Sequence, residues 1–271
     1  MDGVPVRKPS EKFKSDQILF FTLPVVAEYT LVPSTNEVPV LYQDQSLAII
    51  HKPADITVHP GAGTGDDTLV HILVGQMDNL SEGNDPSRPG IVHRLDRATE
   101  GLMVIAKNNN IHHLLSAMFQ KREVIKEYHA WVWGHPIESD KIEGYIGRHP
   151  TDRKKMLFSD TPLNHTYKLS VLSYKVIQEN EFGSLLKISL KTGRTHQIRA
   201  TFSAKQFPLI GDVLYSRVDR KIKKEHLEAF LKNKIEHAGL LLIASRLAFH
   251  HPVTDVWLDY SIDLPDRFLL I

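Results

Sequence analysis

The sequence predicts an α+β fold, with a mixed, largely antiparallel central sheet and flanking helices. Three observations carry that prediction. Short apolar runs and alternating stretches rich in β-branched and aromatic residues recur along the chain, as at Leu102 to Ala106, Tyr128 to Trp133 and Leu186–Ile188–Leu190. Clear helical periodicity is confined to a few segments, the plainest carrying Ile111, Leu114, Leu115, Met118 and Phe119 on one face. The two kinds of segment follow one another irregularly, without the regular strand–helix alternation of a parallel sheet.

In chain order, residues 1–38 read as an N-terminal arm punctuated by prolines, too short for a separate folded domain, and 39–271 as one continuous domain. Val40 to Tyr42 and Leu47 to Ile50 are expected as strands around a turn at Asp44–Ser46. A loop containing Gly61, Gly63 and Gly65 follows, and Asp66 or Asp67 then caps a helix carrying Leu69, Val70, Ile72, Leu73 and Met77. Leu80 to Gly90 is polar and rich in Pro and Gly, hence a loop. Leu102 to Ala106 is a buried strand, and the Ile111–Phe119 helix follows it. Tyr128 to Trp133 is apolar on both faces and so a central strand. The Leu186–Leu190 strand breaks at Thr192-Gly193, and a short helix starts at Thr195, burying Ile198 and Phe202. Leu247 to Phe249 and Trp257 to Tyr260 close the chain as strands.

The bulk numbers are those of an ordinary globular protein: 271 residues, 42% hydrophobic and 24% charged. The absence of cysteine excludes disulfides, thiolate metal sites and a thiol nucleophile, and fits a reducing, cytoplasmic setting. A formal net charge of +1 gives no overall attraction for a polyanion, so any nucleic-acid binding must come from local basic patches such as Arg148 to Lys155 and Arg217 to Lys224. No stretch approaches a membrane span, and Ile18 to Ala27 is too short and too interrupted for a secretion signal.

The segment with most chemistry runs from Gly90 to Lys107. It places Asp96 on a short loop between two apolar stretches, with Arg94 and Arg97 beside it. Guanidinium groups near a carboxylate favour its ionised form, and an ionised Asp can act as nucleophile or base. A surface turn with local ion pairs is the alternative.

As a string, His93-Arg94-Leu95-Asp96, then Arg97-Ala98, then Thr99-Glu100-Gly101 and an apolar strand ending Ala106-Lys107, resembles the signature loop of the RluA-type family of RNA pseudouridine synthases. Lys126 to Ala130 resembles the strand bearing that family's active-site tyrosine. Leu190 to Arg199 resembles its second signature, followed by Pro208 to Asp212 and Leu214-Tyr215. His237-Ala238 with Leu247 to Pro252 resembles its C-terminal strand pair, and the resemblance extends over roughly Pro39 to Pro265. Three positions depart from the pattern: Glu100 stands where serine is usual, and Ala200 and Thr201 where Val-His is usual.

The resemblance implies a pseudouridine synthase fold with a catalytic cleft. It also implies cofactor-free isomerisation of specific uridines in rRNA or tRNA by a cytoplasmic monomer that uses no metal. Asp96 would be the catalytic carboxylate, Tyr128 the residue stacking on the uracil, and Arg199 the partner of Asp96. Arg94 would fill the stack vacated by a flipped base, and Arg97, Arg194 and His196 would shape the site or contact RNA. Bland alternatives stand beside these roles: Arg94 as a phosphate or ion-pair contact, Tyr128 as a core tyrosine, Arg199 as a surface arginine lying along the helix.

Two rival functions remain at this stage. A catalytically inactive RNA-binding module on the same fold would accommodate the three departures. A metal-dependent hydrolase would have to use His112-His113 or His250-His251, which lack any familiar ligand spacing.

Overall fold

Ten strands, among the described residues, assemble into one sheet that is covered on both faces along much of its length, which is why so many of its strands read as unbroken apolar runs. The computed structural model describes residues 31–61, 64–83, 85–215 and 239–269, together with Lys12, Ile18 and Phe20. The expectations for Ile18 to Ala27 as a segment, for Gly63, for Arg217 to Lys224 and for His237-Ala238 lie outside the described residues.

The strands are β1 (Val40–Gln43), β2 (Leu47–Lys52), β3 (Glu100–Ala106), β4 (Ile125–Trp133), β5 (Ser139–Arg148), β6 (Met156–Ser159), β7 (Lys168–Glu179), β8 (Gly183–Leu190), β9 (Leu242–His250) and β10 (Trp257–Ser261). The helices are α1 (Leu69–Gln76), α2 (Asn109–Lys121), α3 (Gln197–Ala204) and the short α4 (Asp266–Leu269). The sheet order is β1-β2-β3-β9-β4-β8-β7-β5-β6, with β10 also paired to β9. Every pairing between these strands is antiparallel except β3 with β9, which run parallel. The α+β expectation therefore holds.

Period-2 alternation divides β2 and β3 between two cores. Ala48, Ile50, Met103 and Ile105 face the side packed by α1 and α3, whereas Leu47, Ile49, Leu102 and Val104 face α2 through Ile111 and Leu115. β4 does the same: Tyr128, Ala130 and Val132 join the first core, while Trp131 and Trp133 meet Phe268 of α4 in a third cluster. Trp131 is fully buried, and its indole N–H donates to the Phe268 carbonyl at 2.9 Å. Each fully buried large apolar side chain of this kind contributes about 1.5–3 kcal/mol.

Three local outcomes differ from the sequence reading. α1 is capped by Thr68, not Asp66 or Asp67, because the His71 ring lies against Thr68: Nδ1 accepts the Thr68 N–H at 3.2 Å and lies 2.8 Å from its hydroxyl. α3 begins at Gln197, two residues late, behind His196 in a left-handed conformation (φ 52°). The region between Gly134 and Phe182, which carried no strand prediction, supplies β5, β6 and β7. Residues 31–38 run over α1, where the Gln76 side chain brackets the Val38 backbone, its Nε2 donating at 2.8 Å and its Oε1 accepting at 3.0 Å.

One row of paired residues positions the cleft. Gly101 of β3 pairs with Ala244 of β9, Ala244 with Tyr128 of β4, and Tyr128 with Ile188 of β8. The loop bearing Asp96 thus enters the sheet two strands from Tyr128, about 10 Å at the usual strand spacing. The β3–β9 contact is tight: Gly101 adopts φ +127°, and a Cβ there would collide with the Ala244 backbone. Past that contact β9 pairs with β10 instead. A register shift at Glu127/Tyr128 against β9 re-aims Tyr128 where the cleft opens.

Candidate active site

The cleft occupies about 100 Å³ and is lined on one side by Arg94, Leu95, Asp96 and Thr99, and on the other by the Gly193–Arg199 segment, with Tyr128, Leu190 and Leu242 between.

The Asp96 loop is pinned from beneath. Lys52 is fully buried, and its ammonium donates to three carbonyls: Pro53 at 2.7 Å, Ile56 at 2.9 Å and Arg97 at 3.1 Å. Burial pushes its pKa down to about 8, against the opposing pull of Asp55, Asp96 and Glu100. The Thr99 N–H donates to the Asp96 carbonyl at 3.1 Å, closing the turn. His93 is held as a neutral acceptor by burial, which pushes its pKa down to about 3; its Nε2 accepts the Val104 N–H at 3.0 Å and its ring stacks on Phe119. The histidine of the loop therefore has a structural task.

The opposite wall is stitched to β7. The Gln197 carbonyl oxygen accepts from the Thr192 hydroxyl and the Arg194 N–H, both at 2.9 Å, while its amide donates to the Val171 carbonyl at 3.1 Å. The Thr192 hydroxyl in turn accepts the Val171 N–H at 2.8 Å. Neither Thr192 nor Gln197 stood out in the sequence. Both are buried polar residues whose side chains hold the backbone of this loop.

Arg199 links the two walls. Its Nη1 donates to Asp96 Oδ2 at 3.2 Å, while Nε and Nη2 donate to the two Asp212 oxygens at 2.8 and 3.0 Å. Asp212 is buried and also accepts the N–H groups of Leu214 and Tyr215 through Oδ1. The guanidinium carbon lies 5.1 Å from the centre of the Tyr215 ring. This arginine is buried, not the surface arginine lying along the helix that was its bland alternative. Arg94 and Arg97 stand nearest Asp96 in the sequence, whereas the resemblance implied Arg199 as its partner. The guanidinium in contact with that carboxylate belongs to Arg199, 103 residues away.

His196, on the same wall as Arg199, also approaches Asp96, with Nε2 4.0 Å from the same Oδ2. The Tyr215 oxygen accepts the Met156 N–H at 2.6 Å and lies 2.9 Å from His196 Nδ1. Burial lowers the His196 pKa, against the pull of Asp96 in the other direction.

Tyr128 is buried with its ring in the cleft lining, and burial together with the Asp96 charge raises its pKa. Its phenol is accordingly neutral. The Thr99 hydroxyl, also missed in the sequence, is buried in the lining without a hydrogen-bond partner among the described residues.

Of the predicted site residues, Asp96, Tyr128, Arg199, Arg94, Arg194 and His196 come together around the cleft. Arg97 does not line it: its Nε donates to the Asp55 carbonyl at 3.1 Å. Arg94 is exposed, its Nη1 3.4 Å from His59 Nε2. Arg194 donates from Nε to the Leu169 carbonyl at 3.0 Å. Glu100 does not add its charge to the cleft lining; it is buried in an ion pair with Arg267 of α4 at 2.8 Å. Ala200 and Thr201 are buried and also stay out of the cleft lining. The paired histidines are engaged separately, His112 with Ser81 and His251 with Asp44.

Comparison with known proteins gives this geometry its family. Residues 46–204 match the family model described as RNA pseudouridylate synthase. The chain is 35% identical over 272 residues to an uncharacterized RNA pseudouridine synthase of Aquifex aeolicus, covering 99% of this chain and 82% of that one. It is 32% identical over 265 residues to ribosomal large subunit pseudouridine synthase D of Escherichia coli, covering 98% and 78%. Among solved structures, human RNA pseudouridylate synthase domain containing 4 superposes with a TM-score of 0.63 at 25% identity, covering 86% of this chain and 90% of that one. The chain belongs to the RluA-type family of RNA pseudouridine synthases, enzymes that isomerise uridine to pseudouridine within RNA.

Proposed function

We propose that Asp96 is the catalytic carboxylate of this isomerisation, that the reaction needs no cofactor or metal, and that the substrate is large-subunit ribosomal RNA. The observation that carries the reading is the contact of the Asp96 carboxylate with Arg199, in a cleft whose lining also holds Tyr128. The substrate assignment rests on relatives named for the large ribosomal subunit.

The reaction exchanges one bond for another. The N1–C1′ bond breaks, the uracil turns, C5 bonds to C1′, the hydrogen on C5 leaves as a proton, and N1 takes one up. A base stacked in a helix is out of reach, so the target must first swing out into the cleft. The Tyr128 ring is the surface on which the uracil lies. Asp96 meets the reacting uridine, and Arg199 supplies its countercharge and fixes its orientation. Arg94 enters the space the base has left, and Arg194 and His196 border the bound strand. Arg97 holds the loop from outside through Asp55.

The enzyme is a monomer in this reading. Residues 39–271 form the catalytic domain in this reading and 1–38 an arm ahead of it. No described helix is long and apolar enough to cross a membrane, and work on ribosomal RNA suits the cytoplasm.

The test is tritium release from RNA labelled at uridine C5, with separated ribosomal and transfer RNA as substrates. Wild type is expected to release tritium from large-subunit ribosomal RNA. Asp96→Asn is expected to fold and bind RNA but release none. Sustained release by that variant would remove Asp96 from the chemistry, and release from transfer RNA alone would overturn the substrate assignment.

A further inference from the structure

Beside the catalytic cleft, where β4 begins and β8 ends, lies a second groove of about 320 Å³. Leu190 lines both spaces. Gly193 lines the cleft, and Lys126 of the groove reaches to 3.9 Å from where a Gly193 side chain would begin. The separation between groove and cleft is therefore about one residue thick.

The groove has a two-part chemistry. Its floor is apolar, built from Val124, Ile125, Leu172 and Leu190, and Ile125 is left 40% exposed. Its rim carries Arg122, Lys126, Lys141 and Lys191, and no carboxylate lines it. Lys141 is paired with Glu143 at 3.4 Å. The other three cations make no ion pair among the described residues. Lys126 is half-buried, stands 5.7 Å from the centre of the Phe119 ring, and has its pKa lowered by burial and by the like charge of Arg122. A cation withdrawn from water beside another cation is costly unless an anion joins them.

We infer that this groove is a subsite for a nucleotide flanking the target uridine on the same RNA strand. Its phosphate is taken by Lys126, Arg122 and Lys191, and its base or ribose lies on the apolar floor. The hydroxyls of Ser173 and Ser189 stand in the lining to meet polar edges. The inference rests on the reading of the cleft as an RNA-uridine site. A free anion would use the cations but leave the apolar floor uncovered, whereas a nucleotide covers both.

The test measures binding of a single-stranded uridine 12-mer by fluorescence anisotropy across a salt series. Each phosphate contact on a single strand contributes about 0.7 to the slope of log affinity against log salt. The Arg122→Asn/Lys126→Gln/Lys191→Gln variant is expected to lose about 0.7 from that slope, and an unchanged slope would overturn the subsite. Because Lys126 is half-buried, the exposed pair alone, Arg122→Asn/Lys191→Gln, guards against misfolding and is expected to lower the slope in the same direction, by up to about 0.7. Place is tested separately. The chain has no cysteine, so Ser189→Cys can carry a single photo-crosslinker. Crosslinks should fall within two nucleotides of the uridine converted in large-subunit ribosomal RNA, and crosslinks scattered elsewhere would sink the proposal. Absence of conversion in any RNA would refute the isomerase reading, while the salt slopes would still decide whether the groove binds a strand.

Discussion

On one side of the cleft Arg199 is buried and commits all three nitrogens, two to Asp212 and one to Asp96. On the other side Arg94 stands exposed, with a single long contact among the described residues, 3.4 Å to His59. Both are arginines near the same carboxylate, yet the first is anchored by a carboxylate that is itself held by two backbone N–H groups. The second leans on a ring that burial, with Arg94 itself nearby, keeps neutral by pushing its pKa down to about 4. The difference teaches how the site divides its work. In the proposed function, the group that keeps the catalytic carboxylate in place is fixed from several directions, and the group proposed to move into a nucleic acid is left with little to break.

The comparison breaks first, if it is wrong, at Arg199. Arg199→Met leaves Asp212 buried and unpaired and removes the cation from Asp96. Loss of one member of a buried pair costs about 3–5 kcal/mol, so urea denaturation should show a drop of that size, and tritium release should be abolished. Arg199→Lys should not restore turnover, because an ammonium cannot hold Asp212 through two nitrogens and reach Asp96 as well. A stable, active methionine variant would mean that the Asp212–Arg199–Asp96 chain is incidental.

These two sides were not equally legible in the sequence. The Asp96 loop could be read because its residues are contiguous and two apolar stretches bracket them. The strands of the sheet's centre could be read because burial on both faces leaves runs such as Leu102 to Ala106. The partner of Asp96 was reached only through resemblance, since local spacing favoured Arg94 and Arg97, and nothing local says that Arg97 turns outward to Asp55. Thr192, Gln197 and Thr99 were missed for a related reason: each is an ordinary polar residue whose importance comes from what the fold packs over it. Strand β7 was missed because its buried positions shift parity, with Ser170, Val171 and Leu172 all inside. Glu100 looked like a foreign charge near the site, and only α4, remote in sequence, supplies the Arg267 that takes it up.

The His59 side should reveal itself in acid. The unfolded pKa of His59 is near 6.5 and the folded value is depressed to about 4, so the native state refuses a proton that the unfolded chain accepts. Its contribution to stability is complete above pH 6.5 and is lost as pH falls from 6.5 toward 4. At about 1.4 kcal/mol per pKa unit, and with part of the shift screened by solvent, the loss should be about 1–3 kcal/mol. His93, depressed to about 3 by burial, adds a loss in the same direction. His59→Gln keeps an acceptor for Arg94 but cannot titrate, so its denaturation midpoint should fall less between pH 6.5 and 4.5 than that of wild type. Identical acid profiles would show that His59 is not held neutral.

The smallest stability effect is expected at Arg94, and it sharpens the comparison most. Arg94→Ala removes an exposed side chain with one marginal contact, so its unfolding free energy should change by no more than about 0.5 kcal/mol. His59 would keep its burial and lose a neighbouring positive charge, which raises its pKa slightly without ionising it at neutral pH. Turnover should nevertheless fall on structured RNA, because nothing then fills the stack vacated by the flipped uridine. It should fall much less on a short single-stranded substrate, where there is no stack to keep open. A variant that loses as much stability as Arg199→Met would show that Arg94 is a structural residue. A variant that is equally slow on both substrates would show that Arg94 contacts the strand without replacing a base.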